Sequence, residues 1–130
     1  TMQKNPTYDD LLKDVINFLK CQSDYAKESG IKNNHIILDP GIGFGKTFNH
    51  NFTLLKRLDE ICNLGYPVMI GPSRKAFIGD VLDSPPDDRL EGTLATVVAG
   101  IINGARIVRV HDVKEVKRVV KITEKIISSA

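Results

Sequence analysis

The sequence is poor in the features that mark several large classes of protein. It has no tryptophan and only two cysteines, and its 18 basic and 16 acidic side chains leave a net charge of +2. Because these charges are interspersed along the chain, no basic surface indicates nucleic-acid binding. No apolar run is long enough to span a membrane, and no signal-peptide pattern opens the chain. We therefore expect a cytoplasmic protein without nucleic-acid or membrane partners.

The cysteines indicate the redox compartment of the protein, and the first residue bears on whether the chain is part of a longer one. Cys21 and Cys62 lie in helical patterns without a C-x-x-C motif or a nearby histidine cluster. They predict buried free thiols in a reducing compartment rather than a disulfide or a zinc site. The 130 residues suit one domain or part of one. Because the chain begins with Thr1 rather than methionine, we expect it to begin partway through a longer protein.

Apolar periodicity predicts helices that alternate with short strands. The predicted helices span residues 9–29, 52–64, 89–103 and 113–127, and the predicted strands span residues 35–38, 67–70 and 105–110. This αβαβαβα order implies parallel strands joined by right-handed crossovers. An open doubly wound sheet and a (β/α) barrel both fit the order, but three strands are too few for either. We therefore expect a piece of a larger α/β fold.

A glycine-rich loop follows the first predicted strand, in the run Asp39-Pro-Gly-Ile-Gly-Phe-Gly-Lys-Thr47. Its end matches the G-K-[ST] of a P-loop, and the apolar run 107–112 ends in an acid that could bind magnesium. However, the first P-loop glycine falls on Pro40, which lacks an N–H group, and residues 48–51 are predicted to be loop rather than helix. The spacing of a Rossmann motif fails as well. A nucleotide site is disfavoured, and a tight turn with a capping Asp39 is the plainest alternative.

The other two predicted strands also end in polar side chains. Ser73, Arg74 and Lys75 follow the second strand, whereas Arg109 and His111 share one face of the third. Taken alone, the group at residues 73–75 is typical of a solvated turn, and the pair Arg109 and His111 is typical of an edge strand with a solvent-exposed face. In parallel α/β folds, however, the active site forms at the carboxyl ends of the strands. One acid and several cations at these ends predict a ligand with a hydrogen-bond-donating ring and an anionic group.

Four motifs, in this order and spacing, resemble the dihydropteroate synthase family. They are Asp39-Pro-Gly-Ile-Gly-Phe-Gly-Lys46, Ser73-Arg-Lys75, Arg89-Leu-Glu-Gly-Thr93 and Arg109-Val-His-Asp112, and the residues Met2, Gln3, Asn5 and Pro6 resemble the loop after the family's fifth barrel strand. The resemblance implies that residues 1–130 form the carboxyl-terminal half of a (β/α)8 TIM barrel, with strands six to eight. It also implies a transferase of folate biosynthesis and a sulfonamide target. The family condenses dihydropterin pyrophosphate with p-aminobenzoate, giving dihydropteroate and pyrophosphate.

The resemblance also implies roles for individual residues. Asp39, as a buried carboxylate, would accept hydrogen bonds from the amino-pyrimidine edge of the pterin, and Lys75 would hydrogen-bond the same ring. Arg109 would stack on the pterin and, with His111, contact the leaving pyrophosphate. Lys75, Arg109 and His111 are thus the implied catalytic residues. The p-aminobenzoate pocket is implied to consist of Phe44, Gly45, Ser73 and Arg74.

Several parts of the family's site are implied to lie outside this chain. The asparagine that binds the magnesium of the pyrophosphate, further pterin contacts and two mobile loops belong to the amino-terminal half. We therefore expect that Mg²⁺ enters with the substrate, that this chain holds no metal ligand, and that the chain alone has little or no activity. We also expect a homodimer. Two alternatives stay open. One is a pterin-binding methyltransferase domain, which should lack Ser73-Arg-Lys75, and the other is a non-catalytic fragment that dimerises through its strand edges.

Overall fold

The computed structural model describes residues 8–44 and 47–130, with side chains from residue 10 onward. In this part of the chain, helices flank a short parallel sheet. The α-helices are α1 (Tyr8–Glu28), α2 (Phe48–Lys56), α3 (Leu58–Cys62), α4 (Ala76–Leu82), α5 (Leu90–Ile102) and α6 (Val113–Ile127), and a single 3₁₀ turn covers Asn33–His35. The strands are β1 (Met69–Ile70) and β2 (Ile107–Val108).

The sheet is parallel, as the alternation of helices and strands predicts. β1 pairs with β2 in the register Met69 to Ile107 and Ile70 to Val108. A third strand position lies on the other side of β1, where Leu38 forms a parallel bridge with Val68. The Met69 N–H donates to the Leu38 carbonyl at 2.8 Å. β1 is therefore central, and the carboxyl ends of all three strand segments meet at one edge of the sheet.

The hydrophobic core lies between this sheet and the helices. Its fully buried members, at 0 % exposed, include Leu54, Leu58, Ile61, Val68 and Ile70. Burying one such side chain stabilises a fold by about 1.5–3 kcal/mol. Helix α5 approaches the sheet closely because Gly100 has no side chain, and a Cβ at this position would overlap Ile70. The helices therefore hold the strands in place from one side.

The other face of the sheet is open. Ile36 and Leu38 are buried, whereas the alternating residues Ile37 and Asp39 are exposed, Ile37 by 54 %. Arg109, just beyond β2, is exposed as well. Because side chains alternate across a strand, these exposed residues lie on the face that points away from the helices.

The predicted strands are longer than the observed ones. His35 lies in the 3₁₀ turn, where its N–H donates to the Lys32 carbonyl, and only Leu38 of the predicted strand 35–38 pairs with a neighbour. The prediction of a strand over 35–38 is therefore wrong at its start. Among the described residues, the segment 35–38 has a neighbouring strand on one side only. Its backbone can form hydrogen bonds to that one strand, and the local hydrogen bonds of the 3₁₀ turn compete with them.

The second predicted helix also differs from the structure. It begins at Phe48 rather than residue 52, and it breaks at Arg57 into α2 and α3. The prediction that residues 48–51 form a loop is wrong, because Thr47 caps the helix by accepting a hydrogen bond from the His50 N–H at 3.3 Å. A helix therefore does follow the Lys-Thr pair. The argument against a P-loop accordingly depends on Pro40 and on the missing first glycine.

The cysteine prediction holds only in part. Both thiols are free, but Cys21 is exposed on α1 and Cys62 is half-buried, so the predicted burial is wrong for Cys21. Cys21 follows Lys20 on the polar side of an amphipathic helix, whereas Cys62 packs against the core. Burial is the main cause that raises the pKa of the Cys62 thiol. Within the described ranges, none of the helices has the length and apolar character needed to cross a membrane.

Candidate active site

A cavity of about 390 Å³ lies at the carboxyl ends of the strands. Six of the residues singled out in the sequence line it, together with backbone and apolar groups of the strands. The lining residues are Asp39, Phe44, Met69, Gly71, Ser73, Lys75, Arg109, Val110 and His111. The predicted convergence of one acid with several cations is therefore present in this part of the chain. Gly45, predicted to contact p-aminobenzoate, lies outside the described residues, as do Lys46 and residues 2–6.

Lys75 joins the glycine-rich loop to the second strand end. Its ammonium group donates to the Ile42 carbonyl and lies 4.1 Å from the centroid of the Phe44 ring. A cation at this distance from an aromatic face is attracted by the ring's electrons. The side chain passes directly over Gly43, where any Cβ would overlap the Lys75 Cδ and where φ is +91°. Gly43 therefore fits this position for both steric and backbone reasons.

A buried asparagine on α2 anchors the same loop. Asn51 is 1 % exposed, and its Oδ1 accepts a hydrogen bond from the Gly43 N–H at 2.7 Å. Its Nδ2 donates to the Thr47 carbonyl at 3.1 Å. Asn51 was not among the residues predicted from the sequence, although its spacing to Leu54 and Leu55 places it on the buried face of the helix. A polar residue at a core position of an apolar stripe is the signal that could have found it.

Asp39 is positioned by its own loop. Its Oδ1 accepts a hydrogen bond from the Gly41 N–H at 2.8 Å, which closes a local turn and orients the carboxylate. The side chain is exposed, so the expectation of a buried carboxylate is wrong for this chain. The reason is that Asp39 lies on the open face of the sheet, at its edge. Among the described residues, Oδ2 makes no hydrogen bond and can accept one from a ligand.

Ser73 and His111 connect the second and third strand ends. Ser73 is 6 % exposed, and its Oγ lies 2.8 Å from His111 Nδ1. The His111 backbone N–H also donates to this Oγ at 3.1 Å. The serine hydroxyl therefore holds both the backbone and the ring of His111, whose side chain is exposed and lines the cavity.

Arg74 does not line the cavity, although it was predicted to contact p-aminobenzoate. Its guanidinium binds Asp112 through two contacts, Nη2 to Oδ1 at 2.9 Å and Nε to Oδ2 at 3.3 Å. This arginine holds the pKa of the Asp112 carboxyl below its ordinary value. The bidentate pair joins the loop after β1 to the start of α6.

The backbone of Arg74 is held by the motif 89–93. Arg74 adopts the left-handed conformation, with φ of +59°. Its N–H donates to Oγ1 of the fully buried Thr93 at 3.0 Å, and its carbonyl accepts from Arg89 Nη1 at 2.8 Å. A left-handed non-glycine residue is costly, and it persists where the surroundings determine it strongly. No role was predicted for Arg89 or Thr93 from the sequence, and Asp112 was considered only as a magnesium ligand of the disfavoured nucleotide site.

The fold and the site define a protein of the α/β-barrel class, with its cavity at the carboxyl ends of the strands. More particularly, the chain belongs to the pterin binding enzyme family, whose model matches residues 1–111. This finding agrees with the resemblance drawn from the four motifs.

Known relatives support the same assignment. The dihydropteroate synthase of Bacillus subtilis (strain 168) is 50 % identical over 117 residues, which cover 90 % of this chain and 41 % of that protein. A Coxiella burnetii dihydropteroate synthase in complex with pteroic acid matches with a TM-score of 0.94 and 40 % identity, over 97 % of this chain and 48 % of that one. A Yersinia pestis dihydropteroate synthase in complex with a sulfonamide drug matches with a TM-score of 0.92 and 40 % identity, over 98 % and 47 %.

The chain spans less than half the length of each of these relatives. The related structures are TIM barrels, and this chain corresponds to about half of such a barrel. The predicted fold class is confirmed. The open face of the sheet is accordingly the face that points into the interior of a complete barrel.

Proposed function

We propose that the chain supplies the carboxyl-terminal half of a dihydropteroate synthase site. The reaction condenses dihydropterin pyrophosphate with p-aminobenzoate and releases pyrophosphate. The observation that carries this proposal is the convergence of Asp39, Lys75, Arg109 and His111 on one cavity at the strand ends. The Coxiella burnetii relative bound to pteroic acid and the Yersinia pestis relative bound to a sulfonamide support a pterin site beside an arylamine site.

Asp39 and Lys75 would recognise the pterin ring. Asp39 Oδ2 can accept a hydrogen bond from the amino-pyrimidine edge, while Oδ1 stays on the Gly41 N–H. Lys75 can donate to a ring oxygen or nitrogen, since an ammonium group has three N–H donors. Arg109 presents a flat cation on the same cavity wall, and such a cation can stack on the ring.

Arg109 and His111 would stabilise the leaving pyrophosphate. In the reaction, the bond between the pterin methylene carbon and the pyrophosphate oxygen breaks, and its electron pair leaves with the pyrophosphate. The amine nitrogen of p-aminobenzoate then bonds to the methylene carbon and loses one proton to solvent. Negative charge builds on the departing oxygen, so cations and N–H donors fixed nearby lower the barrier electrostatically. No general base from the chain is required.

Phe44 and Ser73 would border the p-aminobenzoate pocket, and the family resemblance implies that Gly45 takes part in it as well. Phe44 is 67 % exposed, so part of its ring surface is accessible to an aromatic substrate. Arg74 would shape this pocket rather than bind in it, because its guanidinium is engaged by Asp112.

The remaining expectations follow from the family. Within the described ranges, no group of three His, Cys, Asp or Glu side chains could hold a metal ion. From the family resemblance alone, we propose that Mg²⁺ enters with the pyrophosphate and that its protein ligand lies outside this chain. We also propose a cytoplasmic homodimer without nucleic-acid partners, in which residues 1–130 contribute barrel strands six to eight.

The test of this function is pterin binding by the chain and by Asp39→Asn. Isothermal titration calorimetry should show that the substitution weakens pterin affinity by about tenfold or more, the value of one charge-assisted hydrogen bond. Asp80→Asn, which changes an exposed acid on α4, is the matched control and should bind normally. An unchanged affinity in Asp39→Asn would refute the role of Asp39. No pterin binding together with a stable dimer in size-exclusion chromatography would favour the non-catalytic alternative.

A further inference from the structure

The contact between Ser73 and His111 determines more than the position of the ring. A serine hydroxyl has one hydrogen to donate and two lone pairs that accept. One lone pair of Ser73 Oγ already accepts the His111 backbone N–H at 3.1 Å, and Oγ lies 2.8 Å from His111 Nδ1. In this second contact, either the serine hydroxyl donates to an unprotonated Nδ1, or a protonated Nδ1 donates to the serine oxygen.

The two tautomers of a neutral imidazole use this contact differently. If Nδ1 carries the proton, both lone pairs of Ser73 accept and its own hydrogen needs another acceptor. Within residues 8–44 and 47–130, the Ser73 side chain has no hydrogen-bond partner besides His111. Ser73 is 6 % exposed, so solvent reaches its hydroxyl poorly. If Nδ1 is unprotonated, the serine donates to it and every polar atom in the pair is satisfied.

The position of Ser73 is itself rigid. The next residue, Arg74, is held through its backbone N–H by Thr93, through its carbonyl by Arg89 and through its guanidinium by Asp112. Pro72, on the other side, is almost fully buried. The backbone that carries Ser73 is therefore held in place beside His111.

We propose that Ser73 is a positioning residue that holds the neutral ring of His111 in the tautomer with the proton on Nε2. The ring then presents an N–H donor on the edge opposite to Ser73, in a side chain that is exposed and lines the cavity. An N–H donor in this place suits an anionic oxygen, whereas the other tautomer would present a lone pair and repel it. The benefit to a leaving pyrophosphate rests on the proposed function, but the tautomer itself does not.

The direct test is ¹⁵N NMR of the histidine rings in the chain, at a pH where imidazole is neutral. In the unmodified chain, His111 Nδ1 should show the chemical shift of an unprotonated nitrogen and Nε2 that of a protonated one. In Ser73→Ala both shifts should move toward the intermediate values of a tautomer mixture, and Ser73→Thr should restore them. His35 and His50 serve as internal references. Ser23→Ala, which removes an equally buried hydroxyl on α1, is the matched control.

A protonated Nδ1 in the unmodified chain would overturn the proposal, and this result needs no variant that folds. An unchanged tautomer in Ser73→Ala would overturn it as well. In a full-length barrel that contains this chain, Ser73→Ala should lower kcat about tenfold, the effect of one lost hydrogen bond, in addition to any rise in the KM for p-aminobenzoate that follows from its place beside that pocket. A rise in that KM alone would instead make Ser73 a simple substrate contact. If the unmodified barrel and Ser73→Ala both show no turnover, the proposed function is refuted. The NMR measurement then decides the tautomer on its own.

Discussion

At the residue scale, one buried amide determines the shape of the glycine-rich loop. Asn51 accepts from the Gly43 N–H and donates to the Thr47 carbonyl, so it joins both ends of the loop to α2. A loop rich in glycine has a large conformational entropy to lose when it becomes ordered. Two hydrogen bonds from one rigid helix offset part of that cost and keep Phe44 beside Lys75.

Replacing Asn51 with alanine should therefore loosen the loop and destabilise the chain. The expected loss in the free energy of unfolding is about 1–3 kcal/mol, the cost of leaving buried polar groups without partners. Urea unfolding measures this loss, and hydrogen exchange should show a faster-exchanging Gly43 amide. Asn49→Ala changes an exposed asparagine of the same helix and should have little effect. Equal effects from the two variants would contradict the role given to Asn51.

At the element scale, the length of each segment explains what the sequence could predict. The amphipathic helices α1, α5 and α6 are 21, 13 and 15 residues long, and their predicted limits lie within one residue of the observed ones. Helix α4 has only seven residues and was missed, because apolar periodicity is recognised over windows of about 11–18 residues. The strands were recognised but overextended, since a run of apolar residues does not reveal how many of them find a partner.

The part of the site that lies at the strand ends could be predicted, because the order of the strands determines it. Parallel strands bring their carboxyl ends together, and so the meeting of Asp39, Lys75 and Arg109 follows from the alternation of elements. The pair Arg74 and Asp112 could not be predicted in this way. It joins residues 38 positions apart, and it depends on a left-handed backbone at Arg74 that no local pattern indicates.

This pair gives the connection between the β1 loop and α6 a defined dependence on pH. Arg74 lowers the pKa of Asp112 from its ordinary value of 3.8. A carboxyl whose pKa is lower in the folded state contributes stability above its unfolded pKa, and the contribution is lost as the pH falls through the folded pKa. Asp112→Asn should thus be less stable than the unmodified chain from about pH 5 to 7, and the two should converge as the pH falls through the lowered pKa of Asp112. Urea unfolding across this range measures the difference.

The control for this prediction is Asp80→Asn, which removes an exposed acid that no described ion pair uses. Added salt should reduce the difference at neutral pH, because the pair is partly exposed and screening weakens it. A difference that persists in acid would mean that Asp112 acts through packing or helix capping rather than through its charge.

At the scale of the whole molecule, the chain presents half of a barrel interior to solvent. Ile37 is 54 % exposed on the open face, and the site is bounded on one side only. An enzyme of this class surrounds its reacting groups and excludes water from them, which strengthens every electrostatic contact in the site. On the proposed function, the described half would supply cations for the leaving group and an acid for the ring, but it bounds the cavity on one side only.

We therefore expect the chain alone to bind a pterin weakly and to show little or no turnover. Adding an amino-terminal half from a dihydropteroate synthase should restore pyrophosphate release, because the two halves together bury the open face and complete the ring contacts. Pyrophosphate release is measured for the chain, for the other half and for their mixture, so that the rate of the mixture can be compared with the rate of each half alone. His111→Gln in the same mixture should reduce the restored rate, since it removes a contact to the leaving group. Robust turnover by the chain alone would show that these strands suffice to build the site.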